Sequence, residues 1–211
     1  MILIGQYDSP FVRRVAIALR VYGIGYEHLP WSVFADADAV AAYNPLRRVP
    51  TLVLDDGDVL IESAAILDYL DELAGPAKAM IPRQGLGRRQ ALKICALATG
   101  LADKAVSLVY ERLLHQEISA AWIARCTTQI GDVLDALEAD RAAGATGFWF
   151  GDRLSHADIA VACVLRFTSE AHPGVFSAAR WPKLAAHAAR CEALEPFQAV
   201  VQPFSVSPPK S

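Results

Sequence analysis

No apolar run in this chain approaches the roughly 18–20 residues that a membrane-spanning helix needs, so no span is expected. The opening Met1-Ile2-Leu3-Ile4-Gly5 is too short for a signal-peptide core and has no basic flank. The 4 cysteines (Cys95, Cys126, Cys163 and Cys191) lie far apart, and no C-x-x-C or metal-ligand spacing occurs. That excludes a dithiol redox pair and a cysteine-based metal site, and leaves small buried or half-buried thiols in a reducing compartment. The 5 histidines are equally dispersed, so no metal is expected. There is no basic block or stripe. The 20 Lys+Arg are scattered among 23 Asp+Glu for a net charge of −3, which argues against a nucleic-acid partner. No internal repeat is visible. These absences describe an expected soluble, cytoplasmic, globular protein.

What is present is apolar matter. Of 211 residues, 54% are hydrophobic and 20% charged, enough to bury a core in one large domain or two small ones. The first ~80 residues alternate between strand and helix patterns. Ile2-Leu3-Ile4 reads as a short buried strand ending at Gly5. Ser9-Pro10 reads as a helix cap followed by a first-turn proline, with Val15, Ala18, Leu19 and Tyr22 at helical spacing and Gly23 as the stop. Tyr26 to Pro30 is a second strand, and residues 35–43 form a weak alanine-rich helix. Thr51–Leu54 and Val59–Ile61 flank an Asp56-Gly57 hairpin turn. Ser63 is expected to cap a helix burying Ile66, Leu67, Leu70 and Leu73. The order is β-α-β-α-β-β-α, whose crossovers and final hairpin imply a mixed sheet.

Past residue ~85 the strand signals stop. Helices are expected from Leu86 to about His115 and from about Ser119 to Ala143. The second has Ile123, Cys126, Ile130, Val133, Leu134 and Leu137 inward. Gly144, Gly147 and Gly151 frame a loop carrying Phe148-Trp149-Phe150. Ser155-His156-Ala157-Asp158 spells a capping box before an apolar helix. Further helices open at Trp181-Pro182 and Glu195-Pro196, and the tail from Pro203 to Ser211 reads as frayed. An α/β segment at 1–78 and an all-helical segment at 86–204 are therefore expected as two domains, joined by a Gly- and Pro-containing linker from Gly75 to Gly85.

Four short motifs occur in a fixed order: Ser9-Pro10-Phe11-Val12-Arg13-Arg14, Asn44-Pro45-Leu46-Arg47-Arg48-Val49-Pro50-Thr51-Leu52, Glu62-Ser63, and Ser155-x-x-Asp158. Together they resemble the glutathione transferase family over nearly the whole chain, and the opening motif looks most like its bacterial serine-type members. The resemblance implies a thioredoxin-like N-terminal domain that binds glutathione and an all-helical C-terminal domain that shapes a second-substrate site. It also implies a homodimer, glutathione as cosubstrate, no metal, and glutathione contacts at Ser9, Phe11, Arg48, Val49, Pro50, Glu62 and Ser63. Asp103 of the partner subunit would join them by reaching the γ-glutamyl ammonium; its alternative is a surface acid paired with a lysine.

The chemistry agrees residue by residue. The resemblance implies a cis Pro50, and a cis bond there turns the Val49 backbone outward as one rung for a peptide-like ligand. A helix start at Ser63 offers N–H groups and dipole to a carboxylate, and Glu62 answers an ammonium. Either Arg47 or Arg48 can meet the glycine carboxylate, with the resemblance favouring Arg48, and Trp31 lines the same end. Ser9 is the catalytic candidate: its hydroxyl would donate to the glutathione thiolate beside a helix N-terminus. Tyr7 is its rival. Ser155 and Asp158 are assigned to folding. Ser107, Tyr110 and Glu111, on the first long helix, are candidates for the wall of a pocket for a small hydrophobic electrophile lying between the domains. A non-catalytic glutathione-binding or protein-interaction module is the alternative to an enzyme. Conjugation, isomerase, peroxidase and dehalogenase chemistry stay open.

Overall fold

The computed structural model describes residues 1–144 and 147–206. The chain divides into two compact units, Met1–Pro82 with the segment from Glu195 onward, and Arg83–Leu194.

The first unit is built on a four-stranded sheet in the order β2-β1-β3-β4. Its strands are β1 (Ile2–Ile4), β2 (Glu27–Leu29), β3 (Thr51–Val53) and β4 (Val59–Ile61). β1 pairs parallel with β2 and antiparallel with β3, so the sheet is mixed as expected. The parallel pair requires a crossover, which α1 (Pro10–Tyr22) supplies. Its start is set by the Ser9 cap and Pro10, and its end by Gly23 in the left-handed conformation, φ 69°. Leu3, Ile4, Val12, Val15, Leu19 and Leu52 are wholly buried between sheet and helix. α2 (Ala37–Ala41) is short, and α3 (Ser63–Ala74) buries Ile66, Leu67 and Leu70. Leu73 departs from the expected inward face and is 52% exposed.

Of the buried charges in this unit, two tie distant segments of it together. Asp71 on α3 accepts from Met80 N at 3.1 Å and Ile81 N at 3.2 Å and from the Tyr22 hydroxyl, fastening the linker back onto the unit. Arg13 on α1 is 2% exposed. Its Nε donates to the Val200 carbonyl at 2.9 Å and its Nη2 to the Phe197 carbonyl at 3.1 Å. That bond pair corrects the expected boundary at residue 204. The helical segment ends at Leu194, and α8 (Glu195–Gln198) packs on α1 in the first unit. The expected frayed tail is also corrected in part. Gln202 Oε1 accepts from Tyr7 N at 3.0 Å, and Asp8 Oδ2 accepts from Ser205 N at 3.3 Å, so residues 200–205 are tied to the loop before α1. The rest of the expected tail, from Ser207, lies outside the described residues.

The second unit contains α4 (Gly85–Leu114), α5 (Ala120–Ala143), α6 (His156–Ala171) and α7 (Pro182–Glu192). α6 is buried along almost its whole length and packs against α4 and α7. The capping box opens it: Asp158 Oδ2 accepts from Ser155 N at 2.8 Å, and Ser155 Oγ accepts from Asp158 N at 3.5 Å. Asp158 Oδ1 also accepts from Trp149 N at 2.6 Å, which folds the Phe148-Trp149-Phe150 loop onto the helix start. On α5, Cys126, Ile130, Leu134 and Leu137 are buried, while Ile123 and Val133 are half-buried. All four cysteines are buried thiols. Among the described residues no helix is long and apolar enough to cross a membrane, and no group of metal-binding side chains assembles.

Arg13→Ala removes two charge-assisted bonds to carbonyls that stay buried. It should lower the unfolding free energy by about 3 kcal/mol, read by denaturant titration. Limited proteolysis should then cut between residues 195 and 206 before any other site.

Candidate functional site

Three chain segments converge in the first unit. The first is the loop Gly5–Ser9 that leads into α1. Gly5 has φ 128°, and a Cβ there would lie 2.5 Å from Val12 Cγ2 and 2.8 Å from Val49 Cβ. Only glycine fits, and the contact presses the loop against the segment carrying Val49. Ser9 sits at the helix cap, half-buried, with Oγ accepting from Val12 N at 3.4 Å. Phe11 is half-buried in the first turn.

The second segment runs from Asn44 to Thr51. Its brace is Asn44, a residue whose role the sequence did not disclose. Asn44 is 1% exposed, and its Oδ1 accepts from Leu46 N at 3.0 Å. Its Nδ2 donates to the Arg48 carbonyl at 2.9 Å and to Thr51 Oγ1 at 3.2 Å. The Val49–Pro50 bond is cis. Pro50 is buried, Val49 half-buried, and the Val49 backbone makes no hydrogen bond to another described residue. Arg47 turns aside to donate to Asp38 Oδ1 at 2.7 Å. Trp31 packs against Tyr43, ring centroids 6.0 Å apart.

The third segment is the start of α3. Here the expected cap shifts by one residue: Glu62 occupies the cap position, and Ser63 is the first helical residue. Glu62 has φ 65°, ψ 120°, and its side chain makes no capping bond. The first-turn N–H groups are therefore not served by a cap side chain and remain as donors for an anion. A non-glycine residue held at positive φ is a strained conformation of the kind that collects at ligand clamps.

Two arginines join the segments. Arg14, 3% exposed on α1, donates from Nη1 to Ser63 Oγ at 3.5 Å. Arg48 Nη1 lies 3.3 Å from Glu62 Oε1, both half-exposed, so this ion pair is worth little as stability and serves to align the two loops. The structure thus brings the Arg48 and Glu62 side chains together, sets Ser63 against Arg14, and presses the loop leading to Ser9 against Val49 beside Pro50. Arg14 completes the group; the sequence showed it only as part of a motif, because an arginine on a helix reads as solvated surface.

Tyr7 is directed elsewhere. Its ring stacks on His28, centroids 3.9 Å apart, and its hydroxyl bonds the Tyr26 hydroxyl at 2.8 Å. Burial first, and the Tyr26 bond second, push its pKa above the ordinary tyrosine value. It lines a cavity of about 440 Å³ with Arg20, Gly23, Gly25 and Glu195, toward the end of α1 opposite Ser9.

The remaining candidates lie in the second unit. Asp103 is exposed on α4, and Ser107 Oγ donates to its carbonyl at 2.7 Å. Ser107, Tyr110 and Glu111 line one cavity of about 530 Å³, together with Leu114, His115 and Trp122.

The chain is similar to known proteins over most of its length. Residues 3–78 match the family model of the glutathione S-transferase N-terminal domain, and residues 120–190 match that of the C-terminal domain. The uncharacterised GST-like protein YibF of Escherichia coli (strain K12) is 34% identical over 168 residues, 79% of this chain and 81% of that protein. A maleylacetoacetate isomerase of Pseudomonas aeruginosa is 33% identical over 169 residues, 75% of this chain and 77% of that protein. Among solved structures, a glutathione S-transferase of Methylobacterium radiotolerans in complex with glutathione sulfonate superposes with a TM-score of 0.90 and 31% identity. That match covers 100% of this chain and 98% of the other. A protein with this sheet, this helical unit and these relatives belongs to the glutathione S-transferase family.

Because residue 5 has no room for a side chain and sits at positive φ, Gly5→Ala should cost about 3 kcal/mol or more in thermal or chemical unfolding. Gly25→Ala, where a Cβ meets nothing within 4 Å, is the control and should change stability by under about 1 kcal/mol.

Proposed function

We propose that the protein is a glutathione-dependent transferase that binds glutathione in its first unit and holds the thiol as thiolate for attack on a small hydrophobic electrophile. The observations that support this reading are that the loop leading to Ser9 lies on Val49, whose backbone is unpaired, and that the Arg48–Glu62 and Arg14–Ser63 contacts tie in the α3 N-terminus. Ser9, Val49 and the α3 N-terminus offer the three things a γ-glutamyl tripeptide thiol needs: a partner for sulfur, a peptide edge, and an anion site. The γ-glutamyl carboxylate meets the first-turn N–H groups and hydroxyl at Ser63, with Arg14 behind it, and the ammonium meets Glu62. The cysteinyl backbone pairs with Val49 as one added rung beside Pro50. Phe11 flanks the cysteinyl portion, and Arg48 exchanges Glu62 for the glycine carboxylate. Ser9 donates to the sulfur; the diverted Tyr7 hydroxyl supports Ser9 for this role.

In the reaction the sulfur lone pair forms the new C–S bond. In a substitution the leaving group departs with its own bonding pair; in an addition the π pair moves onto the activating group. Lowering a thiol pKa by ~2 from ~8.5 gives roughly 25-fold more thiolate at neutral pH, but falling nucleophilicity returns roughly 8-fold of it. Positioning of the electrophile must therefore supply most of any larger acceleration. Ser107, Tyr110 and Glu111 are assigned to that second substrate. The similarity to a maleylacetoacetate isomerase favours isomerisation of an activated double bond as a second reading, tested by turnover of maleylacetoacetate with glutathione. The reading extends to a homodimer, with Asp103 of the partner subunit on the γ-glutamyl ammonium, and light scattering that found a particle of one chain's mass would overturn it. The buried thiols suit a cytoplasmic protein.

The first test is retention on immobilised glutathione, which an interaction module without the site would fail. Titration of the bound thiol by thiolate absorbance then separates the two hydroxyls. Ser9→Ala should raise its pKa by about one, roughly 1.4 kcal/mol for one bond to charge, and Tyr7→Phe should leave it nearly unchanged. A larger shift in Tyr7→Phe would overturn the assignment of Ser9. Glu62→Ala and Ser63→Ala should raise the KM for glutathione more than they lower kcat, because they act on the head group, remote from sulfur.

A further inference from the structure

One residue lining the cavity in the second unit is bound through both of its carboxylate oxygens. Glu111, in the last turn of α4, is 5% exposed. Its Oε1 accepts from Ser119 N at 2.7 Å, and its Oε2 from His115 Nδ1 at 2.7 Å. The Ser119 N–H, the largest influence, and His115 hold its carboxyl below the usual carboxylate range against the opposing effect of burial. Glu111 is therefore an acceptor only, and the His115 proton sits on Nδ1. In the neutral ring the lone pair is then on Nε2. The imidazole lines the cavity with its side chain 59% exposed and its Nδ1 edge turned to the buried carboxylate, so the Nε2 edge is the one left for a ligand. The walls beside it are flat and apolar: Tyr110, Leu114 and Trp122 are 37%, 48% and 36% exposed. The Lys104 ammonium lies 5.6 Å from the centre of the Trp122 ring, holding the indole in place.

From this we propose that the cavity takes a planar aromatic molecule bearing a hydroxyl, the ring lying against Tyr110 and Trp122 and the O–H donating to His115 Nε2. Glu111 is a positioning residue that fixes the tautomer. The inference rests on the reading above only in calling this molecule the second substrate; the binding site itself belongs to one unit and needs no glutathione. Through Ser119 N the same carboxylate also closes the α4–α5 turn, whose helix start is capped separately by Ser119 Oγ accepting from Trp122 N at 3.2 Å.

The test uses two probes of one shape, 2-naphthol and 2-methoxynaphthalene, titrated calorimetrically into the whole protein without glutathione at mildly alkaline pH. The wild type should bind the naphthol roughly 3- to 10-fold tighter, the worth of one hydrogen bond. His115→Phe should abolish that preference while keeping affinity for the ether, and Glu111→Gln should narrow it. Trp122→Ala should weaken both probes together. If Glu111→Gln fails to fold, His115→Phe, at a half-exposed position, still decides. Equal affinities in the wild type, a preference that survives His115→Phe, or no binding of either probe would each overturn the proposal. Retention on immobilised glutathione, measured on the same preparation, reads the other site separately.

Discussion

There is no room for a side chain at residue 5, and the first unit is arranged around that fact. With Val12 Cγ2 and Val49 Cβ both inside contact distance of the missing Cβ, the loop before α1 lies directly on the strand-leading segment that holds the cis proline. The loop leading to Ser9 and the segment holding Val49, far apart in sequence, become neighbours through a steric absence rather than through an attractive bond. His28 reinforces the same point by donating from Nε2 to the Gly5 carbonyl at 2.7 Å, which fixes the loop from the β2 side. A larger residue would have to move the helix start or the proline segment, and either movement separates the groups assigned to glutathione.

Around that contact, charge is used where apolar packing would leave backbone groups unserved. Arg13, Asp71, Asp158 and Glu111 are all nearly inaccessible, and each bonds main-chain atoms across a joint in its own unit. A buried charge is weak evidence for stability, because desolvation offsets much of the attraction. What these four have in common is that they close segments without regular structure: the return of the C-terminal segment, the linker, the Trp149 loop and the α4–α5 turn. Arg14 and Asn44 do the same work at the candidate site, one behind Ser63 and the other beneath the Arg48 carbonyl. The groups proposed to face glutathione are thus carried by a framework of polar side chains bonded to other parts of the unit.

The two hydroxyl side chains near the start of the chain, Tyr7 and Ser9, show how position alone misleads. Tyr7 and Ser9 differ by two residues, and both present a hydroxyl. Stacking on His28 and the bond to Tyr26 carry the Tyr7 hydroxyl toward one end of α1, while the cap places Ser9 at the other. Nothing local to the tyrosine foretells this, since its partners sit on β2 and beyond.

The local signals were sufficient for the mixed sheet, its hairpin, the long helices and the capping box, because each depends on spacing and on residues within one turn or one strand of each other. Ser9-Pro10 starts a helix and Asp56-Gly57 turns a hairpin by their own backbone preferences, whatever surrounds them. The motifs also named Val49-Pro50 and Glu62-Ser63 by resemblance. Only the tertiary structure decided that residues from Glu195 on return to the first unit, that Leu73 is exposed, that Glu62 rather than Ser63 holds the cap position, and that Arg14 lies behind Ser63. The reason is physical. A buried arginine acquires its role from acceptors far along the chain, at separations that periodicity does not encode: 49 residues divide Arg14 from Ser63, and 187 divide Arg13 from Val200.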